Sequence, residues 1–264
     1  MRRKAFSILA YWTYLVNSGS RHSVHSPFVY KLVDQVFKNK KDNPAFQDIA
    51  KLRRKLLLKS QVIEITDFGS GANHKQYSHR FERVASIVRN SSVSDRYGRL
   101  LFRLVEYFRP QTIIEIGTSV GLSALYMALA NPDAKVYTVE GCTTKSEQAA
   151  ISFSAMQVSN IEQHIGRFDL VLPDLVKQVG KLDFAFIDGN HTYEATIENF
   201  ETLLAIANND SVFVFDDIHW SADMQKAWNK ISDHDGVTVS IDLFRFGIVF
   251  LKKELSKQKF VIRF

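Results

Sequence analysis

Three apolar runs of this sequence end in an acid: Val136–Glu140, Phe184–Asp188 and Val212–Asp216, the last followed by Asp217. If these runs are adjacent parallel strands, their C-terminal ends share one rim, where ligands of such sheets bind. Carboxylates gathered there repel unless a cation or a proton joins them. Oxygen ligands in this number suit Mg²⁺ with bound waters, so Asp188, Asp216 and Asp217 are the predicted metal ligands. The competing reading has Asp216 or Asp217 capping the helix that follows. His191 stands three residues after Asp188. An imidazole can take a proton near neutral pH, so His191, with Asp188, is the predicted catalytic pair. The alternative for His191 is a helix-start histidine bonded to backbone. His219 and Trp220 read either as a substrate wall or as packing.

A fourth run, Thr112–Ile116, carries Glu115 and leads into Gly117-Thr118-Ser119-Val120-Gly121-Leu122-Ser123. Glycines let backbone approach a ligand closely, and a helix N-terminus offers free N–H groups to an anion. Glu140 lies 23 residues after Gly117 (140 − 117), a position suited to accepting both ribose hydroxyls of a nucleoside. The dinucleotide fingerprint G-x-G-x-x-G fails, because Ser119 stands where its second glycine belongs. The same turn does match G-x-S-x-G, the nucleophile elbow of serine hydrolases. Asp188 and His219 follow in suitable order for that chemistry, yet it would leave most of the strand-end acids unexplained. A second glycine run, Asp67–Ala72, follows Val62–Thr66 but is not followed by a strand ending in an acid. It reads as a turn over the active site.

The elements that must position these residues alternate from Asp95 onward. A helix over Arg96–Phe108, with Leu100, Leu101, Leu104, Val105 and Phe108 inward, stops at Pro110. Strands follow at Thr112–Ile116, Val136–Glu140, Ile161–Ile165, Phe184–Asp188 and Val212–Asp216. Between and after them, helices are read over Leu122–Ala130, Lys145–Gln157, Leu172–Val179, Tyr193–Ala207 and Ala222–Ile231. This succession predicts an α/β fold with a parallel sheet covered on both faces. Val237–Leu243, Phe246–Lys252 and Phe260–Phe264 are strand-like with no room for crossover helices, so at least one antiparallel pair closes the sheet. Residues 1–90 look helical and irregular. Ser26-Pro27 starts a helix burying Phe28, Leu32, Val33 and Val36, and Lys51–Leu58 is a short basic helix. The domain reading is a basic, mainly helical extension or cap over 1–94 and a cofactor-binding domain over 95–264.

Charge divides the 264 residues unevenly. Residues 1–60 hold 13 Lys/Arg against 3 Asp/Glu, a net of +10, leaving 21 against 25, or −4, for the rest (34 − 13 and 28 − 3). A basic front end suits an anionic membrane surface, a nucleic acid or an acidic substrate, or is simply a solvated face. Aromatic–basic interleaving of the single-strand binders is missing, which disfavours nucleic acid. Arg2, Arg3 and Lys4 precede Ala5–Val16, which places Ala5, Ile8, Leu9, Trp12, Leu15 and Val16 on one helical stripe. This is read as an amphipathic helix packed on the body or lying on a membrane, not as a cleaved signal. One cysteine, Cys142, allows no internal disulfide and points to a reducing, cytoplasmic setting.

Ile114–Ser123, with Glu140, Gly166, Asp188 and Asp216-Asp217, resembles the class I S-adenosylmethionine-dependent methyltransferases of the catechol O-methyltransferase-like group, over about Arg96–Phe264. His25-Ser26-Pro27-Phe28 and Asp216-Asp217-Ile218-His219-Trp220-Ser221 are also similar to an uncharacterised methyltransferase family of the Bacteroidetes. The resemblance implies a Rossmann-like sheet with an antiparallel C-terminal hairpin. It implies S-adenosylmethionine held by Glu115, Gly117, Thr118, Ser119, Gly121, Ser123, Glu140 and Asp188, with Gly166-Arg167-Phe168 beside the adenine. It also implies Mg²⁺ at the acidic rim, orienting a hydroxyl pair of a small-molecule substrate, and it leaves a homo-oligomer open. The group's pattern is Asp, then Asp-Asn. Here Asp217 replaces the asparagine, and His191 stands where the group carries a lysine base.

Overall fold

A computed structural model describes residues 2–19, 24–67 and 78–264. The second glycine run, over 68–72, lies outside the described residues. In chain order, α1 (Arg2–Asn17) and α2 (Pro27–Leu32) lead through a π-helical turn to α3 (Pro44–Leu57), the hairpin β1 (Val62–Asp67) and β2 (Ser78–Arg83), α4 (Val84–Ser91) and α5 (Asp95–Phe108). The alternation then runs β3 (Thr112–Ile116), α6 (Leu122–Ala130), β4 (Lys135–Glu140), α7 (Thr143–Ala155), β5 (Ile161–Ile165), α8 (Phe168–Val179) and β6 (Leu182–Ile187). It ends with α9 (Tyr193–Leu204), β7 (Ala207–Phe215), α10 (Ala222–Asp233), β8 (Val239–Asp242), β9 (Gly247–Phe250) and β10 (Gln258–Val261). The expected α/β class holds: the sheet is mostly parallel and carries an antiparallel C-terminal hairpin. Two compact units divide the chain, Met1–Asn39 with Val179–Phe264, and Lys40–Gln178.

In the unit Lys40–Gln178, β4 lies between β3 and β5, parallel to both. α5 packs on α6 where Gly98 meets Tyr126: a Cβ there would come within 2.2 Å of the ring. The ring is pinned by its hydroxyl, which donates to Asp95 Oδ1 at 2.6 Å. α5 buries Leu100, Leu101, Leu104 and Val105 as expected, while Phe108 is only half-buried. It stops at Arg109, whose left-handed backbone (φ 49°) precedes Pro110. The β1–β2 hairpin falls in a stretch read from sequence as helical and irregular.

In the other unit the strand order is β10-β8-β9-β7-β6. β9 runs antiparallel to both β7 and β8, while β6 is parallel to β7 and β10 to β8. β6, β7 and β8 therefore end at the same rim, with Asp188, Asp216 and Asp242 at their C-terminal ends. Val212–Phe215 of β7 is buried at every position, the continuous apolar run expected of a strand covered on both faces.

α1 packs on the body, but not through its apolar stripe. Its buried residues are Ala10 and Tyr14, whereas Leu9, Trp12 and Val16 are 68%, 63% and 81% exposed and Ile8 is also exposed. At 100° per residue, the apolar stripe lies about 180° from the face that packs. Tyr14 decides the orientation. Its ring needs burial and its hydroxyl needs a partner. The hydroxyl donates to the Ile262 carbonyl at 2.7 Å and accepts from Phe264 N at 3.0 Å. Arg263 donates to the Leu15 carbonyl (2.9 Å), Gly19 bridges Ile262, and Tyr11 meets Phe244 edge-on at 4.9 Å. Among the described residues, no helix is long and apolar enough to cross a membrane.

Candidate active site

The glycine turn after β3 is shaped by three left-handed residues, Gly117 (φ 100°), Ser119 (φ 50°) and Gly121 (φ 86°). It is held to Glu140, whose Oε2 accepts Ser119 N at 2.8 Å and whose Oε1 accepts Cys142 N at 2.9 Å. Gly121 has a packing reason as well as a conformational one: a Cβ there would lie 2.5 Å from Phe153 Cε1 of α7. Below the turn, Thr118 and Thr138 hydroxyls meet at 2.5 Å, and Thr138 donates to Glu115 Oε2. Since Thr138 gives its only proton to Glu115, Thr118 is the donor in the first bond. Glu115 Oε1 ends without a well-formed hydrogen bond, and so does the buried Ser119 hydroxyl. Burial pushes the Glu115 carboxyl up to about 7; hydroxyls of Ser123 and Thr138 pull the other way, and the Glu140 charge adds to the rise. Ser123 is buried at the start of α6.

Gly166 (φ 148°) follows β5, with its N–H on the Glu140 carbonyl at 2.9 Å. Arg167 pairs with Asp169 at 2.6 Å, and Phe168, half-buried, opens α8. The turn is bordered by an element that the sequence did not announce. β1 docks at the start of α7, where Thr144 donates to the Glu64 carbonyl and Thr66 N lies 3.4 Å from Cys142 Sγ. A nucleoside-bearing cofactor fits this donor set. Glu140 is fixed by two backbone N–H groups, and two buried polar atoms lack a well-formed hydrogen bond, which native structures seldom leave unexplained.

The acids at the ends of β6 and β7 gather as expected, but an arginine joins them. Arg245, in the turn between β8 and β9, donates from Nε and Nη2 to the two oxygens of Asp216 at 2.7 Å each. Its Nε lies 3.5 Å from Asp217 Oδ1. Burial alone would lower the guanidinium's pKa; the bonds and charges of Asp216, Asp217 and Asp188 outweigh it and raise it. Asp216 is fully buried and also accepts Asp217 N at 2.7 Å. Burial, with the Asp216 charge adding and Arg245 opposing, lifts Asp217 to about 7. The metal expectation finds no support in this arrangement. Both Asp216 oxygens are taken by the guanidinium, and among the described residues no group of three His, Cys, Asp or Glu is placed to hold an ion. Asp188, Asp216 and Asp217 do not fit Mg²⁺. Nor does Asp216 or Asp217 cap α10, whose N-cap is Ser221.

His191 Nε2 lies 3.5 Å from Asp188 Oδ1, and neither side chain is fully exposed. Burial lowers the imidazole's pKa, with the Asp216 charge opposing and Arg245 assisting, so the ring is neutral near pH 7 and can accept a proton. The helix-start role goes to Thr192, which caps α9. His219 is held elsewhere: Nε2 bonds Asp242 Oδ2 at 2.7 Å and the ring stacks on Phe244 at 5.3 Å. The hydrolase alternative fails on these contacts. Ser119 Oγ has no hydrogen-bond partner, and the histidine offered for a triad is paired with Asp242, not with Asp188.

Comparison with known proteins bears on the family and the fold. Residues 114–218 match a family model described as a methyltransferase domain. A protein named a probable O-methyltransferase, from Mycobacterium tuberculosis, is 30% identical over 120 residues, covering 43% of this chain and 51% of its own length. An uncharacterised protein of Acanthamoeba polyphaga mimivirus is 30% identical over 132 residues, 46% of this chain and 58% of its own. The chain thus spans about half the length of the curated relatives it matches. Among solved structures, the O-methyltransferase TomG of Streptomyces achromogenes, involved in tomaymycin synthesis and bound to S-adenosylmethionine, aligns with TM-score 0.57 at 21% identity, covering 85% of this chain and 95% of that one. The Podospora anserina methyltransferase PaMTH1, bound to S-adenosylhomocysteine, aligns with TM-score 0.60 at 14% identity, covering 89% and 100%. At these identities the likeness concerns the fold alone, a Rossmann-like α/β sheet that matches these methyltransferase neighbours.

Proposed function

We propose that this chain is an S-adenosylmethionine-dependent O-methyltransferase acting on a small hydroxylated molecule, with His191 as the base. The observation that carries the reading is the glycine turn fixed on Glu140 above two buried, unsatisfied polar atoms, Glu115 Oε1 and Ser119 Oγ. Glu140 would hold the ribose, the turn from Gly117 to Ser123 the methionine end, and Gly166-Arg167-Phe168 the adenine side. Bound there, the cofactor would supply an electrophilic methyl carbon and a sulfur leaving group that takes the electron pair. The chain's remaining task is alignment and deprotonation. The neutral His191 imidazole takes the acceptor's hydroxyl proton as the oxygen attacks, and Asp188, 3.5 Å away, favours the imidazolium that forms. In this reading residues 95–264 form the methyl-transfer domain and residues 1–94 the extension that shapes substrate access.

Calorimetry with S-adenosylhomocysteine tests the cofactor half. Binding in the micromolar range is expected, weakened at least roughly tenfold by Glu140→Ala, which corresponds to ~1.4 kcal/mol. No binding at several hundred micromolar, or full affinity in the variant, would sink the proposal. His191→Gln is expected to abolish turnover while leaving that affinity intact.

A further inference from the structure

The geometry points to Arg245 as a built-in counter-cation: its guanidinium pairs with the acids expected to hold a divalent ion, so the rim receives a single acceptor hydroxyl and chelates no hydroxyl pair. The second half rests on the proposed methyl-transfer reading; the first stands on geometry alone. A planar guanidinium gripping both oxygens of one carboxylate uses the directions that an incoming metal would need. Here both contacts are 2.7 Å and the carboxylate is fully buried. Mg²⁺ demands near-octahedral oxygen ligands and gives up its waters reluctantly, so it would have to be stripped to reach Asp216.

Arginine remains charged at any working pH, and this one is fixed by its main chain too. Its carbonyl accepts Ile218 N at 3.2 Å, just after Asp217. The turn that carries it is closed by Leu243 N on the Phe246 carbonyl (2.8 Å) and Phe244 N on Asp242 Oδ1 (2.7 Å). A second cation beside this one would be repelled. Asp217, the residue in place of the group's asparagine, is the acid that faces Arg245 Nε at 3.5 Å. The added acid and Arg245 therefore act as one device.

Mn²⁺ titration of the full chain, followed by electron paramagnetic resonance, tests this without any turnover. The expected result is no stoichiometric Mn²⁺ bound at several hundred micromolar; one tightly bound ion per chain would overturn the inference. Arg245→Met uncovers the three acids and is expected to gain Mn²⁺ binding. Should that variant fail to fold, the wild-type titration still decides. S-adenosylhomocysteine calorimetry on the same sample reports separately on the methyl-transfer reading. For substrate class, a panel of single and adjacent-pair phenols should be methylated at similar rates with and without EDTA. An EDTA-sensitive preference of tenfold or more for adjacent hydroxyls would refute the single-hydroxyl rim.

A different observation concerns α1. We infer that its outward face docks on an anionic membrane surface. Ile8, Leu9, Trp12 and Val16 form an exposed apolar stripe, and the first turn of the helix has the sequence Arg2-Arg3-Lys4 in a segment carrying a net +10 over residues 1–60 (13 − 3). Apolar and aromatic residues on one face with cationic residues at hand are what an interfacial helix needs. Flotation with vesicles of phosphatidylglycerol and phosphatidylcholine in equal parts is expected to carry the protein upward. Vesicles of phosphatidylcholine alone, or the double variant Trp12→Glu/Val16→Glu, should leave it behind. Equal flotation of variant and wild type, or no flotation together with a dimer that the same substitutions break, would overturn the membrane reading.

Discussion

Replacing Glu115 by Gln should remove a pH-dependent cost that the wild-type fold carries. Glu115 is fully buried, and its carboxyl titrates at about 7 against an ordinary value of 4.5. Its folded pKa is raised, so the folded state holds its proton more tightly than the unfolded state. Stability is greatest below 4.5, falls as pH rises from 4.5 to 7, and is level above that. A rise of some 2.5 pKa units at about 1.36 kcal/mol each gives roughly 3 kcal/mol lost by pH 8. Glutamine keeps an acceptor for Thr138 and cannot ionise. Its amide introduces a donor whose burial costs about 1–3 kcal/mol, but that penalty does not change with pH. Urea unfolding of both proteins between pH 5 and 8 reads the difference. The gap should move in favour of Gln by roughly 2.5 kcal/mol across that range, since about 0.8 kcal/mol of the loss is already complete at pH 5, and most of the move comes before pH 7. A gap that stays constant would show that Glu115 ionises at an ordinary pKa and that its orphaned oxygen is not buried in solution.

Gly98→Ala should lose about 1–3 kcal/mol in thermal unfolding, because the new Cβ meets a Tyr126 ring held in place by Asp95. Gly121→Ala carries two separate costs, a left-handed backbone (φ 86°) and a 2.5 Å approach to Phe153, each about 1–3 kcal/mol. Adding Phe153→Leu should relieve only the second, so a double-mutant cycle will show partial recovery. Tyr14→Phe removes the hydroxyl that bonds Ile262 and Phe264. It should cost about 1–2 kcal/mol and speed hydrogen exchange in α1 above all other helices.

The parts of the fold that were legible were those with local punctuation. β3 and α6 fall on the residues expected because Pro110 and the glycine turn mark their ends, and β5, Ile-Glu-Gln-His-Ile, also falls where expected although only its end residues are apolar. β7 begins at Ala207, five residues before the expected Val212, since its first residues, Ala207–Ser211, are mostly polar. β2 is nearly all exposed, Ser-His-Arg-Phe-Glu-Arg, and has no apolar alternation to betray it; it exists through pairing with β1. In α1, periodicity located an apolar face but could not say whether that face packs on the body; the packed face is the one that carries Tyr14. In the site, the positions of the acids could be read and the identity of their counter-cation could not. Arg245 sits 29 residues after Asp216 in a hairpin turn, a separation that no motif encodes. The glycine at 121 was visible, while its reason, room for Phe153, depends on packing between α6 and α7.

The tie between α1 and the last residues has a consequence for how the chain is made. Tyr14 and its acceptor Ile262 are 248 residues apart. At ribosomal rates of about 5–20 residues per second, α1 waits roughly 12–50 s for the backbone that holds it. During that interval its Tyr14 face lacks the Ile262–Phe264 segment to rest against, so the helix made early is among the last to dock. Contacts of such long sequence separation slow folding. A nascent amphipathic helix left open for that long is the segment of this chain most exposed to chaperones, to other nascent chains and to lipid.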